Sequence, residues 1–194
     1  MPSPQAARTL VLVEGESDAN AARALAARLG CDLASGRIDI LPAGGVTNFA
    51  TVLAGYLRAH PGASACGMYD IADEWHVRRA LARAGAPIPE GGGVEASGFF
   101  ACVADLEDEL IRALGVRTVE RVVEEQGELD SFHRFQAMPQ HRHSPTHRQL
   151  HRFLGTRATR KIRFAKHLVE ALDLADLPRP LGQLAARLRA AGRA

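Results

Sequence analysis

The first part of the chain alternates short apolar runs with stretches in which apolar residues recur every three or four positions. The apolar runs predict β-strands at residues 9–13, 38–41, 65–69 and 98–103. The stretches with helical periodicity predict helices at residues 18–29, from Thr47 or Asn48 to about 58, at 74–84 and at 105–114. Strands separated by helices favour a parallel sheet that is covered by helices on both faces.

The strand signals stop after residue 115, and only helical periodicity follows. Helices are predicted at residues 116–126, 130–136, 146–154, 159–172 and 181–189. The sequence therefore predicts an α/β fold, with a Rossmann-like parallel sheet of about four strands flanked by helices. We expect residues 1–115 to form the α/β core and residues 116–194 to form a helical extension packed on it.

Charge is distributed unevenly along the 194 residues, although the formal net charge is only +2. Residues 1–130 carry 11 Lys/Arg and 19 Asp/Glu, whereas residues 131–194 carry 13 Lys/Arg and 3 Asp/Glu. The first part can concentrate cations and the second can attract a polyanion, or the two parts can simply complement each other when packed. The candidate nucleic-acid contacts in the basic part are Arg142, Arg148, Arg157, Arg160, Arg163 and Lys166.

Acidic residues follow several of the predicted strands. Glu14 ends the first strand, Asp70 ends the third, and Asp105 and Glu107 follow the fourth. In a parallel sheet these carboxylates meet at one edge, where their repulsion favours binding of Mg²⁺ or Mn²⁺. Two such ions about 3.5–4 Å apart are the apparatus of phosphodiester cleavage. The alternative, taken residue by residue, is that acids such as Asp105 merely stabilise helix N-termini.

Several other classes of protein are disfavoured. No apolar stretch approaches the roughly 18 residues of a membrane span, and no signal-peptide pattern occurs, so we expect a cytoplasmic protein. The turn at residues 42–47 lacks the lysine of an ATP-binding P-loop. Ser17 is the expected cap of the first helix. His147 and His151 have the spacing of zinc ligands, but a phosphate-contacting face is the preferred interpretation.

Together these motifs resemble the Toprim domain, and in particular that of the OLD (overcoming lysogenization defect) nucleases. The resemblance rests on Val13-Glu14-Gly15-Glu16-Ser17-Asp18, on Asp70, on Asp105-Leu106-Glu107 and on Lys161 in a Lys-x-x-x-Ala helix, and it spans residues 8–170. It implies metal ligands at Glu14, Asp18, Asp70, Asp105 and Glu107, with Lys161 near the scissile phosphate. Ala72 replaces the second aspartate of the family's D-x-D motif, and Asp73 follows one position late as a substitute ligand. Whether one or two ions bind is therefore left open.

The resemblance implies a Mg²⁺- or Mn²⁺-dependent nuclease that cleaves DNA with a metal-activated water, with Glu14 and Lys161 as catalytic residues. OLD proteins usually join this domain to an N-terminal ABC-type ATPase, which this sequence does not show. We therefore expect a module without its own ATPase that acts on DNA, with a separate ATPase or another protein as a candidate partner. Two alternatives remain, namely a non-catalytic module that binds nucleic acid or a protein partner, and a nucleotidyl or phosphoryl transferase.

Overall fold

A parallel four-stranded sheet forms the centre of the structure, a computed structural model that describes residues 8–86 and 88–193. The strands are β1 (Thr9–Val13), β2 (Ile38–Pro42), β3 (Ser64–Asp70) and β4 (Phe99–Cys102). They lie in the order β2-β1-β3-β4, and all three strand pairings are parallel. The predicted α/β fold is confirmed.

The strand order places β1 next to both β2 and β3. After β1 the chain forms β2 on one side of β1, and it then crosses over to form β3 on the other side. The carboxyl ends of β1 and β3 flank this change of direction, which is where open α/β sheets bind their ligands. Gly67 of β3 pairs with Leu12 of β1, and a Cβ at Gly67 would lie only 1.9 Å from the carbonyl oxygen of Leu12. Close approach of the two strands thus requires glycine.

Nine α-helices occur among the described residues, and each begins within two residues of its predicted start. The helices are α1 (Glu16–Arg28), α2 (Phe49–Ala59), α3 (Glu74–Arg83), α4 (Leu106–Leu114), α5 (Val116–Glu125), α6 (Leu129–Ala137), α7 (Thr146–Gly155), α8 (Ala158–Ala171) and α9 (Arg179–Arg193). Short 3₁₀ turns at Val46–Asn48 and Ile71–Asp73 precede α2 and α3. Within the described residues, no helix is long and apolar enough to cross a membrane.

Alternate side chains of each strand point to opposite faces of the sheet, and each face packs in a core of its own. Leu10 and Leu12 of β1 pack towards the core formed with α2 and α3. Val11 and Val13 join the larger core, to which α1, α8 and α9 contribute. Helix α8 packs along α1, and α9 packs across β3 and β4. The C-terminal helices thus complete one layer of the fold, and the division at residue 115 stays a prediction.

The start of α1 differs from the prediction in its cap. Gly15 occupies the N-cap position, and the Asp18 carboxylate accepts a hydrogen bond of 3.0 Å from the Gly15 backbone N–H. Ser17 lies buried inside the first turn. The prediction that Ser17 caps the helix is therefore wrong, because the helix begins at Glu16, two residues earlier than the apolar pattern indicates. Asp18 is held at the edge of the sheet by this bond.

Candidate metal centre

Three carboxylates meet at the carboxyl ends of β1 and β3. Glu14 directly follows β1, Asp70 is the last residue of β3, and Asp73 ends the 3₁₀ turn that follows. One oxygen from each of the three lies within 4.8 Å of the others. Because β1 and β3 are adjacent and parallel, their ends bring these residues together from distant parts of the chain.

The 3₁₀ turn explains why Asp73 rather than residue 72 reaches the cluster. A 3₁₀ helix has about three residues per turn, so side chains three positions apart lie on the same face. Asp70 is the N-cap of this turn and Asp73 is three residues later, whereas Ala72 is exposed. The one-residue shift from the D-x-D pattern therefore still delivers a second carboxylate to the same place.

The remaining acids of the candidate set are close enough to influence Asp70. Burial raises the pKa of Asp70 to about 7, and the negative charges of Asp105 and Asp18 contribute to the increase. Burial also raises the pKa of Glu14 and that of Asp18. The side chains of Glu14, Asp18, Asp70 and Asp105 thus form one electrostatically coupled group, which favours occupancy by a cation or by protons.

Glu107 and Lys161 form an ion pair beside this group. The Lys161 Nζ lies 3.1 Å from Glu107 Oε2, which links α8 to the first turn of α4. Glu107 is 3 % exposed, and its second oxygen, Oε1, is buried without a hydrogen-bond partner in the described part of the chain. Burial raises the pKa of Glu107 to about 7, although the charge of Lys161 opposes this. A buried carboxylate oxygen without a partner is available to a ligand.

Two histidines on α7 contact the acidic first turn of α4. His151 Nε2 lies 2.7 Å from Asp105 Oδ2, and His147 Nε2 lies 3.2 Å from Asp108 Oδ1. Burial alone would raise the pKa of Asp105, but hydrogen bonds from His151 and from the Asp108 N–H hold it below its ordinary value. The spacing of the histidines was visible in the sequence. The sequence did not indicate that these histidines would pair with acids about 40 residues earlier in the chain.

A basic surface lies beside these contacts. His147, Arg148, His151 and Arg152 of α7 line a cleft of about 500 Å³ together with Asp108. Both arginines are exposed, and so are the predicted contacts Arg142 and Arg157. The predicted phosphate-contacting face is therefore accessible next to the carboxylates, and Arg152 joins it although sequence reasoning did not single it out.

The other predicted nucleic-acid contacts have different surroundings. Arg160 is 5 % exposed, donates to Glu128 Oε2 at 2.6 Å and stacks on the Phe153 ring, so its guanidinium serves the protein interior. Arg163 also pairs with Glu128, but its side chain remains partly exposed. Lys166 is exposed beside Glu170, with 3.7 Å between its Nζ and Glu170 Oε1. We keep Arg163 and Lys166 as candidates and leave Arg160 out.

The donor set fits a hard divalent cation. All three clustered side chains offer carboxylate oxygens, and neighbouring Asp18 and Asp105 add further negative charge. Oxygen ligands are those that Mg²⁺ and Mn²⁺ prefer. Burial and the charges of Asp105, Asp18 and Glu14 outweigh the opposing effect of Lys161 on the pKa of Asp70. These residues are therefore suited to hold such an ion.

Comparison with known proteins agrees with the geometry. Residues 7–58 match the family described as overcoming lysogenization defect protein-like, TOPRIM domain. The C-terminal region of the Xanthomonas campestris pv. campestris OLD protein is similar in structure, with a TM-score of 0.66, 19 % identity, and coverage of 96 % of this chain and 97 % of that one. The C-terminal region of the Burkholderia pseudomallei OLD protein has a TM-score of 0.65 and 21 % identity, and covers 95 % and 98 %.

No curated protein matches the chain in sequence. The family match covers the segment that carries Glu14 and Asp18, and the structural matches extend over nearly all of the chain. The resemblance inferred from the sequence motifs is confirmed. Residues 7–58 are thus similar to an OLD-like Toprim domain, and the chain as a whole has the fold of the C-terminal region of OLD proteins.

Proposed function

We propose that this protein is a Mg²⁺- or Mn²⁺-dependent nuclease that hydrolyses DNA phosphodiester bonds. The observation that carries the proposal is the convergence of Glu14, Asp70 and Asp73, whose oxygens lie within 4.8 Å of one another at the switch point of the sheet. Like charges at this distance oppose folding unless a cation or protons neutralise them. A divalent ion bound there would activate water and stabilise the leaving oxygen.

The acidic residues and Lys161 would have different roles in this reaction. Glu14, Asp70 and Asp73 would hold one ion, while Asp18, Asp105 and Glu107 would supply ligands for a second. Lys161, whose charge acts on Glu14, Asp18 and Asp70, would stabilise charge that develops on the phosphate. To reach the phosphate, its ammonium would have to leave Glu107 Oε2, 3.1 Å away.

The basic surface would hold the DNA backbone. The exposed side chains of Arg148, Arg152 and Arg157 lie on α7 or immediately after it, and α7 contacts the acidic turn of α4 through His147 and His151. A cationic strip next to acidic metal ligands is the arrangement required to bring a polyanion to a negatively charged centre. We also propose that the protein acts in the cytoplasm and that an ATPase is its protein partner.

Cleavage of supercoiled plasmid DNA tests the proposal. We expect nicked or linear products with Mg²⁺ or Mn²⁺, none with EDTA, and at least about a 100-fold lower rate for Glu14→Gln and Asp70→Asn. Glu124→Gln is the matched control, because it makes the same chemical change on an exposed position of α5. Binding of Mn²⁺, followed by calorimetry, should be weakened in the first two variants and unchanged in the control.

The result distinguishes the alternatives. Cleavage that persists in Glu14→Gln and Asp70→Asn would refute this metal centre. Metal and DNA binding without cleavage under either ion would favour the non-catalytic binding module. Transfer of a nucleotidyl group to an added alcohol acceptor, detected as a new ester product, would favour the transferase.

A further inference from the structure

Exposed apolar side chains are concentrated at the edge of the sheet that carries the carboxylates. Among the described residues, the large apolar side chains that are exposed are Leu41, Ile71, Trp75, Val103 and Met138. The first four lie at or just beyond the carboxyl ends of strands or in the helix that follows, and only Met138 lies in the C-terminal helical part. Exposed apolar groups gathered at one place mark a binding surface.

This surface is interleaved with the candidate metal ligands. Ile71, 50 % exposed, directly follows Asp70, and Val103, 66 % exposed, lies two residues before Asp105. Trp75, 60 % exposed, is in the first turn of α3, two residues after Asp73. Because each of the three lies within two residues of a candidate ligand, a molecule that covers these apolar groups lies close to the carboxylates.

Trp75 combines an exposed ring with a neighbouring cation. The Arg79 guanidinium lies 5.5 Å from the centre of the Trp75 ring, one helical turn later. Arg79 is exposed, and no carboxylate lies within 4.0 Å of it in the described part of the chain. An aromatic face beside an unpaired guanidinium suits a ligand that has both a flat apolar face and a negative charge.

The class of ligand that fits this surface follows from its position near the carboxylates and from the pairing of Trp75 with Arg79. A protein partner seated on Ile71, Trp75 and Val103 would seal the carboxylates away from substrate, whereas a nucleotide would use both the apolar and the charged groups. The base faces of a duplex are stacked inside it and cannot reach a side chain, so the bases here must be unpaired. We propose that Trp75, with Ile71 and Val103, stacks on unpaired bases of a single DNA strand whose backbone lies at the carboxylates. This inference rests on the proposed function and specifies its substrate as single-stranded segments.

The chain contains a single tryptophan, which makes the inference directly measurable. Titration with a 12-nucleotide thymidine oligomer, in the Glu14→Gln background to prevent cutting, should quench the fluorescence of Trp75. A blunt duplex of the same length should quench it little. Base–aromatic stacking energies predict that Trp75→Ala weakens single-strand binding about 5- to 150-fold and duplex binding less than about twofold. Trp75→Phe should retain most of the affinity.

Met138→Ala is the matched control, because it removes an exposed apolar side chain outside this surface and should leave binding unchanged. The inference is overturned if the single strand does not quench Trp75, if an abasic strand quenches it equally, or if Trp75→Ala weakens single-strand and duplex binding alike. A fluorescence change that follows protein concentration instead of DNA would assign the surface to self-association and overturn it too. Cleavage of plasmid without quenching overturns only this inference, whereas quenching without cleavage supports it and refutes the nuclease.

Discussion

Lys161 is joined to Glu107 by a contact of 3.1 Å between Nζ and Oε2, and this pair connects α8 with the start of α4. The two residues are 54 positions apart in the sequence and differ in burial, since the lysine side chain is 39 % exposed and that of the glutamate only 4 %. The lysine thus compensates the buried charge from the solvent side. Its charge at the same time lowers the pKa values of Glu14, Asp18 and Asp70.

Loss of the lysine should therefore affect stability as well as activity. Removing one partner of a fully buried pair costs about 3–5 kcal/mol. For Lys161→Met we expect about 1–2 kcal/mol, because Lys161 is partly exposed and Glu107 can take up a proton. Urea unfolding at pH 8 measures this. Glu107→Gln should cost less, since the amide removes the charge that needed compensation. Equal losses in both variants would contradict the argument.

Stability without metal should decrease as the pH rises. The pKa values of Asp70 and Glu107 are raised to about 7 from ordinary values of 3.8 and 4.5. The folded protein therefore keeps protons that the unfolded chain releases, and this contribution is complete below about pH 4 and is lost as the pH passes about 7. The pKa of His151 is also raised, which acts in the same direction. The melting temperature with EDTA should be lower at pH 8 than at pH 5.5.

Mg²⁺ should reverse this trend because it replaces the lost protons. We expect the increase in melting temperature on adding Mg²⁺ to be larger at pH 8 than at pH 5.5. The double variant Asp70→Asn/Glu107→Gln should show a flatter pH dependence and a smaller response to Mg²⁺. If this double variant responds as the native chain does, the acids that govern the effect lie elsewhere.

The convergence of the acids could be predicted because it follows from topology. Glu14 and Asp70 each end an apolar run, and parallel strands place such ends on one edge. Asp73 was a candidate ligand from the sequence, but its position in the cluster required the structure, since only the 3₁₀ turn at Ile71–Asp73 shows how a shifted aspartate reaches the same point. The burial of Arg160 could not be predicted from the sequence. Its charge indicated a surface contact, but the ring that covers it belongs to Phe153 of α7 and the carboxylate to Glu128, the N-cap residue of α6.

His151 is a second residue whose surroundings the sequence could not reveal. We expect it to influence how the cleavage rate falls at low pH. Its hydrogen bond to Asp105 Oδ2 helps to keep the pKa of Asp105 low. In His151→Ala this pKa should rise, so that protons compete with the metal at higher pH. The pH of half-maximal cleavage on the acid side should therefore move upward, with recovery near pH 8.

His147→Ala is the control for this measurement, since His147 is on the same face of α7 but faces Asp108 instead. It should leave the pH of half-maximal cleavage unchanged. A loss of cleavage in His151→Ala that is the same at every pH would show that His151 acts by a route other than Asp105.

The close pairing of β1 and β3 should make Gly67 irreplaceable. A Cβ at this position would lie 1.9 Å from Leu12 O and 3.1 Å from the Phe99 ring, and neither the strand nor the fully buried ring can move away cheaply. We expect Gly67→Ala to cost about 3 kcal/mol or more, or to prevent folding. Gly55→Ala, at an exposed position of α2 with no atom within 4 Å of the new Cβ, should instead stabilise by about 0.5–1 kcal/mol. Chemical unfolding of both variants tests the pairing, and a Gly67→Ala protein as stable as the native chain would refute the strand register that brings Glu14 and Asp70 together.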